Sequence, residues 1–365
     1  MCSSDLTAAQ AISSALLARE RGRVGGHHVE LTMLEANLNF LWHDGFWNHS
    51  FVGEFEKKPL ISEFICTMPT ADGHVAMLLG AAQYLAQHRD FDGTVFVIFQ
   101  PAEEGGGGAR RMMDDGLFEK CPMQAVFGMH NWPGAGVGTF GVTSGPMMAS
   151  SNEFEVIVTG KGAHAAQPHM GVDPIMVALQ IAQSWQTIVT RNKNPYDAAV
   201  LSITQIHAGS ATNVIPDQAR LIGTVRTFSA EVLDLIERRM RDIAAHTAAA
   251  FDADVAFHFK RSYPPLINHE QETAFAIEVM RDIVGPDRVY TCVEPSMGAE
   301  DFAFMLREMA GCYVFIGNGD GRHRAAGHGL GPCNLHNASY DFNDELLAIG
   351  ATYWVRLAER FLPVG

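Results

Sequence analysis

The stretch Thr94-Val95-Phe96-Val97-Ile98-Phe99-Gln100-Pro101-Ala102-Glu103-Glu104-Gly105-Gly106-Gly107-Gly108 decides how this chain is read. Residues 94–99 are apolar, β-branched or aromatic and too few for a helix, so they predict one fully buried strand. Four glycines then open into Ala109-Arg110-Arg111-Met112-Met113, a helix start. Two adjacent carboxylates therefore stand on a tight loop at the carboxyl end of a central strand. In open α/β sheets, that edge is where ligands bind. Neighbouring glutamates repel each other and are costly to bury unless something cationic holds them. A solvated acidic turn is the alternative, and the flanking strand and glycines weigh against it.

Outward from this loop the pattern is orderly. His74 to Gln87 predicts a helix, with Val75, Leu78, Leu79, Ala82 and Leu85 on its apolar positions. A helix near 108–115 and a second apolar strand, Ala125 to Met129, follow the loop, and His130-Asn131-Trp132-Pro133 comes directly after that strand. This β–α–β–α–β rhythm predicts a mostly parallel sheet with helices on its faces. From about Ser150 the period changes. Glu153 to Val158 alternates, as a half-exposed antiparallel strand does. A helix at 173–190, strands at 198–206 and 219–226, a helix at 229–250 and a strand at 254–260 complete a β-α-β-β-α-β order, the signature of a ferredoxin-like unit. After Tyr263-Pro264-Pro265 the α/β style resumes, with a helix at 271–283, a strand at 312–316 and a terminal helix from Leu346 to Phe361. The expected organisation is an α/β domain, residues 1–149 and 263–365, into which an α+β domain, residues 150–262, is inserted. Residues 1–65 fit neither style. Thr7 to Arg19 reads as an amphipathic helix, and 25–58 holds no sustained period.

Composition narrows the class. A length of 365 residues suggests two domains, and 47% apolar with 18% charged residues fits a globular protein with a large core. A net charge of −15 argues against nucleic-acid or anionic-membrane partners. No apolar run approaches the roughly 18 residues a membrane span needs. Asp5 and the short apolar segment Ala15–Ala18 make a poor signal peptide. Six scattered cysteines without a Cys-x-x-Cys pair fit a reduced, cytoplasmic protein.

The candidate chemistry lies on loops and strand ends. His130 closes a strand, as Glu103 and Glu104 do, and His336 sits in the polar run Asn334-Leu335-His336-Asn337. Glu and His side chains meeting at a strand edge form the ligand set of a hydrolytic Zn²⁺ or Mn²⁺ site. A metal would relieve the Glu–Glu repulsion, one Glu binding it and the other taking a proton from metal-bound water. Each histidine taken alone also reads as an ordinary turn residue. The inserted domain carries His164 within Gly160-Lys161-Gly162-Ala163-His164, Asn213 before Val214-Ile215-Pro216, and Arg226 at a strand end. Arg226 suits bidentate capture of a carboxylate. Asn213 and His164 suit hydrogen-bond donation to an oxyanion. Turn and strand-end roles remain open for all three.

Seven motifs occur in order: Pro101-Ala102-Glu103-Glu104-Gly-Gly, Met129-His130-Asn131-Trp132-Pro133, Gly162-Ala163-His164-Ala165-Ala166, Asn213-Val214-Ile215-Pro216-Asp217, Gly223-Thr224-Val225-Arg226-Thr227-Phe228, Ser296-Met297-Gly298-Ala299-Glu300-Asp301-Phe302 and Leu335-His336-Asn337. Together they resemble the amidohydrolase branch of the aminoacylase / carboxypeptidase G metallopeptidases, which includes hippurate hydrolases and hydrolases of indoleacetyl-amino acids. The resemblance runs from about Asp72 to the carboxyl end. It implies a zinc-peptidase-like domain with an inserted lid and dimerisation domain, and a homodimer formed through that lid. It implies two divalent metals per subunit, Zn or Mn with Co or Ni as alternatives, and hydrolysis of the amide of a small-molecule N-acyl or N-aroyl amino acid. Glu103 resembles the general base; Glu104, His130 and His336 resemble metal ligands. His164 resembles the lid histidine that polarises the scissile carbonyl, while Asn213 and Arg226 resemble substrate-binding residues.

One segment departs from the pattern. The family's first helix opens with His-Ala-Cys-Gly-His-Asp-Gly-His, whose Cys and following His bind metal. The register fixed by Asp72-Gly73-His74 puts Pro69 at the Cys and Ala71 at the His, and neither side chain ligates. The family's Arg-Ala-Asp-x-Asp strand has no counterpart in residues 1–68. Cys66 is a nearby thiol, but metal bonds tolerate only about 0.2 Å of error, which argues against rescue. A catalytically dead homologue acting as a binding or dimerising protein is therefore the alternative reading. A reading-frame shift upstream of codon 72 would explain so abrupt an onset. If neither other frame of the coding DNA yields Cys-Gly-His ahead of the Asp72 codon, the divergence is genuine.

Overall fold

The computed structural model describes residues 67–68, 74–324 and 331–364. The helix expected at Thr7–Arg19, and Cys66, Pro69 and Ala71, lie outside the described residues. The chain forms two units. The first holds the described residues up to Val142, His269–Val293 and those from Met309 onward; the second holds Thr143–Asn268 and Glu294–Glu308.

In chain order the first unit contributes strand β1 (Thr67–Met68), helix α1 (His74–Gln87), strand β2 (Ile98–Phe99), helices α2 (Gly108–Asp114) and α3 (Leu117–Lys120), and strands β3 (Val126–Pro133) and β4 (Phe140–Gly141). The second unit follows with strands β5 (Gly145–Met148), β6 (Ser151–Thr159) and β7 (Ala163–His164), helix α4 (Pro174–Thr187), strands β8 (Ala199–Ala208), β9 (Val214–Ile215) and β10 (Gln218–Thr227), helix α5 (Ala230–Ala250), and strands β11 (Asp254–Tyr263) and β12 (Leu266–Asn268). Helix α6 (Glu270–Val284) and strand β13 (Val289–Tyr290) return to the first unit, the short helix α7 (Ala303–Glu308) belongs to the second, and strand β14 (Gly311–Gly319) with helix α8 (Leu346–Phe361) completes the first.

The first unit is built on β14, all nine of whose residues are buried. Such a strand must be apolar on both faces and covered on both, and Cys312, Val314 and Ile316 alternate with Tyr313 and Phe315 to supply the two faces. Its neighbours are β3, parallel to it, and β4, antiparallel to it, with β13 parallel to β4 at the edge. β2 pairs in parallel with β1. Helix α1 buries Met77, Leu78, Ala81 and Leu85, spaced as a helical face requires. It packs close to α8: a Cβ placed on Gly350 would stand 1.8 Å from the Met77 sulfur, so glycine is needed for the approach.

Two strands differ from the sequence reading. The ladder at 94–99 covers only Ile98–Phe99, because its described partner is the two-residue β1; Val95, Phe96 and Ile98 are nonetheless buried. β3 is longer than expected. It runs through His130 to Pro133 because β14 continues alongside it, with Phe315 opposite His130 and Gly317 opposite Trp132. His130 is therefore inside the ladder, not beyond it.

The second unit has the strand order β11-β6-β10-β8, antiparallel throughout, with the chain sequence β6-α4-β8-β10-α5-β11. That is the ferredoxin-like arrangement. Phe154, Val156 and Val158 of β6 and Leu221 and Val225 of β10 point to one side, where Val177, Ile181 and Trp185 of α4 and Leu233, Ile236 and Met240 of α5 complete the core. The Trp185 indole donates to the Met240 carbonyl at 2.9 Å, satisfying its one polar atom. Asp173 caps α4 ahead of Pro174 and Ser229 caps α5, which fixes where both helices begin. The strands flanking the insertion, β5 and β12, pair with each other.

Burial in β14 pushes the Cys312 thiol up to about 12, against an ordinary value of 9.0, because the thiolate loses its water. The folded state thus favours the protonated thiol. This contribution to stability is complete below the unfolded value and disappears as pH rises from 9 toward 12. Wild type should lose stability faster over that range than Cys312→Ala, measured by denaturant melts; parallel pH slopes would contradict it. The cavity left by the alanine is independent of pH and drops out of the comparison.

Candidate functional site

The loop after β2 owes its shape to its glycines. The Gly105 and Gly106 amides donate to the carbonyls of Glu103 (2.6 Å) and Ala102 (2.9 Å), and Ala102 itself has φ +52°. Gly105 and Gly107 have φ of +88° and +63°, a region that L side chains avoid. At Gly108 the reason is space: a Cβ there would lie 1.6 Å from the Pro101 carbonyl oxygen. The loop therefore folds back on itself and presents Glu104, 76% exposed at the side chain, with Glu103 half-buried behind it.

Glu104 meets His336. Their Oε1 and Nδ1 atoms are 3.6 Å apart. His336 has φ +60°, unusual for a residue with a side chain, at the crest of a turn in which Asn337 and Tyr340 amides donate back to Asn334 and Asn337. His130, on β3, donates from Nδ1 to the Asn131 carbonyl at 2.6 Å. With the proton on Nδ1, the lone pair is on Nε2, the tautomer of a metal-binding imidazole whose other nitrogen is anchored. Its ring is edge-on to Trp132, which stacks on Phe315 at 4.1 Å.

The donor types suit a divalent metal: one carboxylate and two imidazoles. The geometry does not close around one. Glu104 and His336 come together, but the ligand atoms of Glu104, His130 and His336 do not all lie within 4.8 Å of one another. Pro69 and Ala71, at two further ligand positions of the resemblance, carry no donor atom. Among the described residues, the candidate ligands Glu104, His130 and His336 are thus an incomplete fit to a two-metal centre.

The second unit carries the other candidates. β7 and β9 form a two-stranded ribbon in which His164 faces Val214, and the Ala165 amide donates to the Asn213 carbonyl at 3.0 Å. His164 and Asn213 are therefore neighbours. The Ala166 amide donates to His164 Nδ1 at 3.1 Å, which leaves the proton of a neutral ring on the exposed Nε2. Asp217 accepts from the Gly162 amide at 2.8 Å and ties the two motifs together. Arg226 is elsewhere in this unit, lining an open cavity of about 800 Å³ on the sheet with Glu153, Glu155, Arg220, His258 and Lys260. Burial lowers the Arg226 guanidinium below its ordinary value, and Glu153 opposes that shift. Neither His164 nor Asn213 lines this cavity.

Sequence reasoning assigned no part to Glu300 and Asp301, which are 1% and 0% exposed. Buried, adjacent carboxylates mark functional or structural centres, and the signal was present in Gly298-Ala299-Glu300-Asp301-Phe302. Asp217 and the Trp132–Phe315 stack were also passed over.

A family model for peptidase family M20/M25/M40 matches residues 69–360. The chain is 38% identical over 291 residues to hippurate hydrolase of Campylobacter jejuni, spanning 80% of this chain and 73% of that protein. It is 38% identical over 286 residues to N-acetyl-L-cysteine deacetylase of Bacillus subtilis, spanning 78% and 64%. It is 34% identical over 296 residues to an IAA-amino acid hydrolase of Arabidopsis thaliana, ILR1-like 4, spanning 80% and 65%. Among solved structures, Bacillus subtilis YXEP, a dinuclear metal binding peptidase from the M20 family, matches with TM-score 0.65 and 34% identity over 80% of this chain and 72% of that one. The chain belongs to peptidase family M20/M25/M40, and by family it is a metal-dependent amidohydrolase. Among the described residues, no helix is long and apolar enough to cross a membrane.

Proposed function

We propose that this protein hydrolyses the amide bond of N-acyl or N-aroyl amino acids. The observation that carries the reading is the pairing of His164 with Asn213 on one ribbon, with the His164 Nε2 proton directed outward by the hydrogen bond at Nδ1. A donor held in that tautomer is ready for the oxygen of a scissile carbonyl and gains strength as charge develops on it. Arg226, half-desolvated on its sheet, is the carboxylate anchor, and desolvation strengthens its attraction for an anion. Glu103 is the general base of this reading. Glu104, His130 and His336 are the side chains that would hold divalent metal, Zn²⁺ or Mn²⁺; such a metal supplies Lewis-acid polarisation and an acidified water. The names of the similar proteins, acting on hippurate, N-acetyl-cysteine and IAA-amino acids, support an N-acyl amino acid as substrate class. Cytoplasm is the compartment we infer, since the four described cysteines are free.

A second reading follows from the incomplete donor set. A chain with Pro69 and Ala71 in place of two ligands keeps the recognition residues of the second unit and turns over slowly or not at all. The two readings separate on N-benzoylglycine hydrolysis with added Mn²⁺ or Zn²⁺. If the enzyme reading holds, His164→Ala lowers kcat by about 10²–10³. Arg226→Ala raises KM by roughly tenfold or more while kcat changes less. A folded, metal-supplemented protein with no turnover overturns the enzyme reading and leaves the binding one.

The second unit also supports a homodimer. Helix α4 has no charged residue, and its Met176 and Leu179 are 50% and 42% exposed. β8 is an edge strand whose Ile206 is 54% exposed, with no lysine or proline to block pairing. A second copy joined through this edge covers both. Light scattering should give twice the chain mass, and Ile206→Lys should give the monomer. A wild-type monomer at micromolar concentration contradicts the dimer.

A further inference from the structure

Two arginines stand two residues apart after β14 and behave differently. Arg322 is a surface arginine, 90% exposed at the side chain and paired with Asp320. Arg324 is half-buried and spends its guanidinium on backbone: Nε donates to the Gly321 carbonyl at 3.0 Å, and Nη1 donates to the carbonyls of Gly331 at 2.7 Å and Ser339 at 3.1 Å. One side chain thus joins three points of the segment that carries His336. Glycine makes room for this at two of them. A Cβ at Gly321, φ +88°, would lie 2.6 Å from Cys333 Cβ and 3.1 Å from Arg324 Nε, and one at Gly331 would lie 2.7 Å from Ser339 Oγ.

Further bonds of the segment pass the constraint on to His336. The Ser339 amide, next to the carbonyl that Arg324 holds, donates to Asn337 Oδ1 at 2.9 Å. The Asp341 carbonyl accepts from Asn318 Nδ2 at 2.9 Å, and the Asn131 side chain donates to the Tyr340 hydroxyl, which ties the far end of the turn to β14 and β3. His336 lies between these anchors at φ +60°, a conformation that surrounding bonds must hold. Its pairing with Glu104 cannot supply that hold, because both side chains are more than 70% exposed and exposed ion pairs are weak. Charge-assisted bonds from a rigid, planar guanidinium can.

We propose that Arg324 is a positioning residue that sets His336 against Glu104. It touches no reacting atom and acts through the backbone of the 331–339 segment. The inference rests on reading His336 as a site residue, but it concerns only geometry. It is therefore testable without metal or substrate, and a chain that hydrolyses nothing would give the same spectroscopic result as an active one.

The test is a double-substitution cycle read by NMR of histidine labelled with ¹³C at Cε1, the His336 signal being assigned by its loss in H336A. In the parent protein, Glu104→Gln removes a charge 3.6 Å from the ring and should shift the His336 resonance. In the R324Q background the same Glu104→Gln change should leave that resonance in place to within its line width. Arg324→Lys keeps the charge without the fork and should restore part of the shift, which a general loss of stability would not do. An equal Glu104→Gln shift with and without Arg324 overturns the proposal, as does no shift in the parent. Should R324Q not fold, R324K decides by the same comparison: a reduced shift supports the proposal and a full shift overturns it.

Discussion

The parallel pairing of β14 with β3 is the constraint on which the first unit depends. β14 is buried over its whole length, so it must lie at the centre of the sheet with helices on both faces. Once Phe315 is opposite His130, the histidine is fixed within the carboxyl half of β3. β14 carries Asn318 near its end, and the segment leaving it carries Arg324 and His336 in turn. Side chains far apart in sequence reach one sheet edge because two strands share a direction, which is the general reason such edges hold sites.

The second unit follows a different logic. Its sheet is antiparallel with one face on the helices, so its strands alternate and its ladder reads almost directly from the residue pattern. The residues proposed for recognition sit in two places: His164 and Asn213 at the short ribbon of β7 and β9, and Arg226 on the regular ladder of β10, lining its cavity.

Legibility in the sequence follows periodicity. The helix at 74–87, the terminal helix at 346–361 and the β-α-β-β-α-β order were readable because apolar spacing in them is periodic, and the two helices of the second unit open on the caps Asp173 and Ser229. The extent of β3 was not readable, since Asn131, Trp132 and Pro133 look like a turn until β14 is known to run beside them. The tautomers of His130 and His164 depend on backbone groups whose positions no residue pattern states. The turn of His336 was less legible still. It is held by one arginine's bonds to three carbonyls, and carbonyls have no letter in a sequence. Pro69 and Ala71, by contrast, were readable only from sequence, through register with a family pattern.

The family speaks for amide hydrolysis, while the donor set of Glu104, His130 and His336 speaks for weak metal binding. These agree if the chain has inherited a hydrolytic scaffold and lost part of its metal centre. Elemental analysis of the purified, folded protein after equilibration with Zn²⁺ or Mn²⁺ and removal of free ion tests this most directly. The account predicts well below one metal retained per chain, since Glu104, His130 and His336 do not close around one ion. Two tightly held metals per chain would contradict it and would mean that ligands outside the Glu104–His336 pair complete the centre.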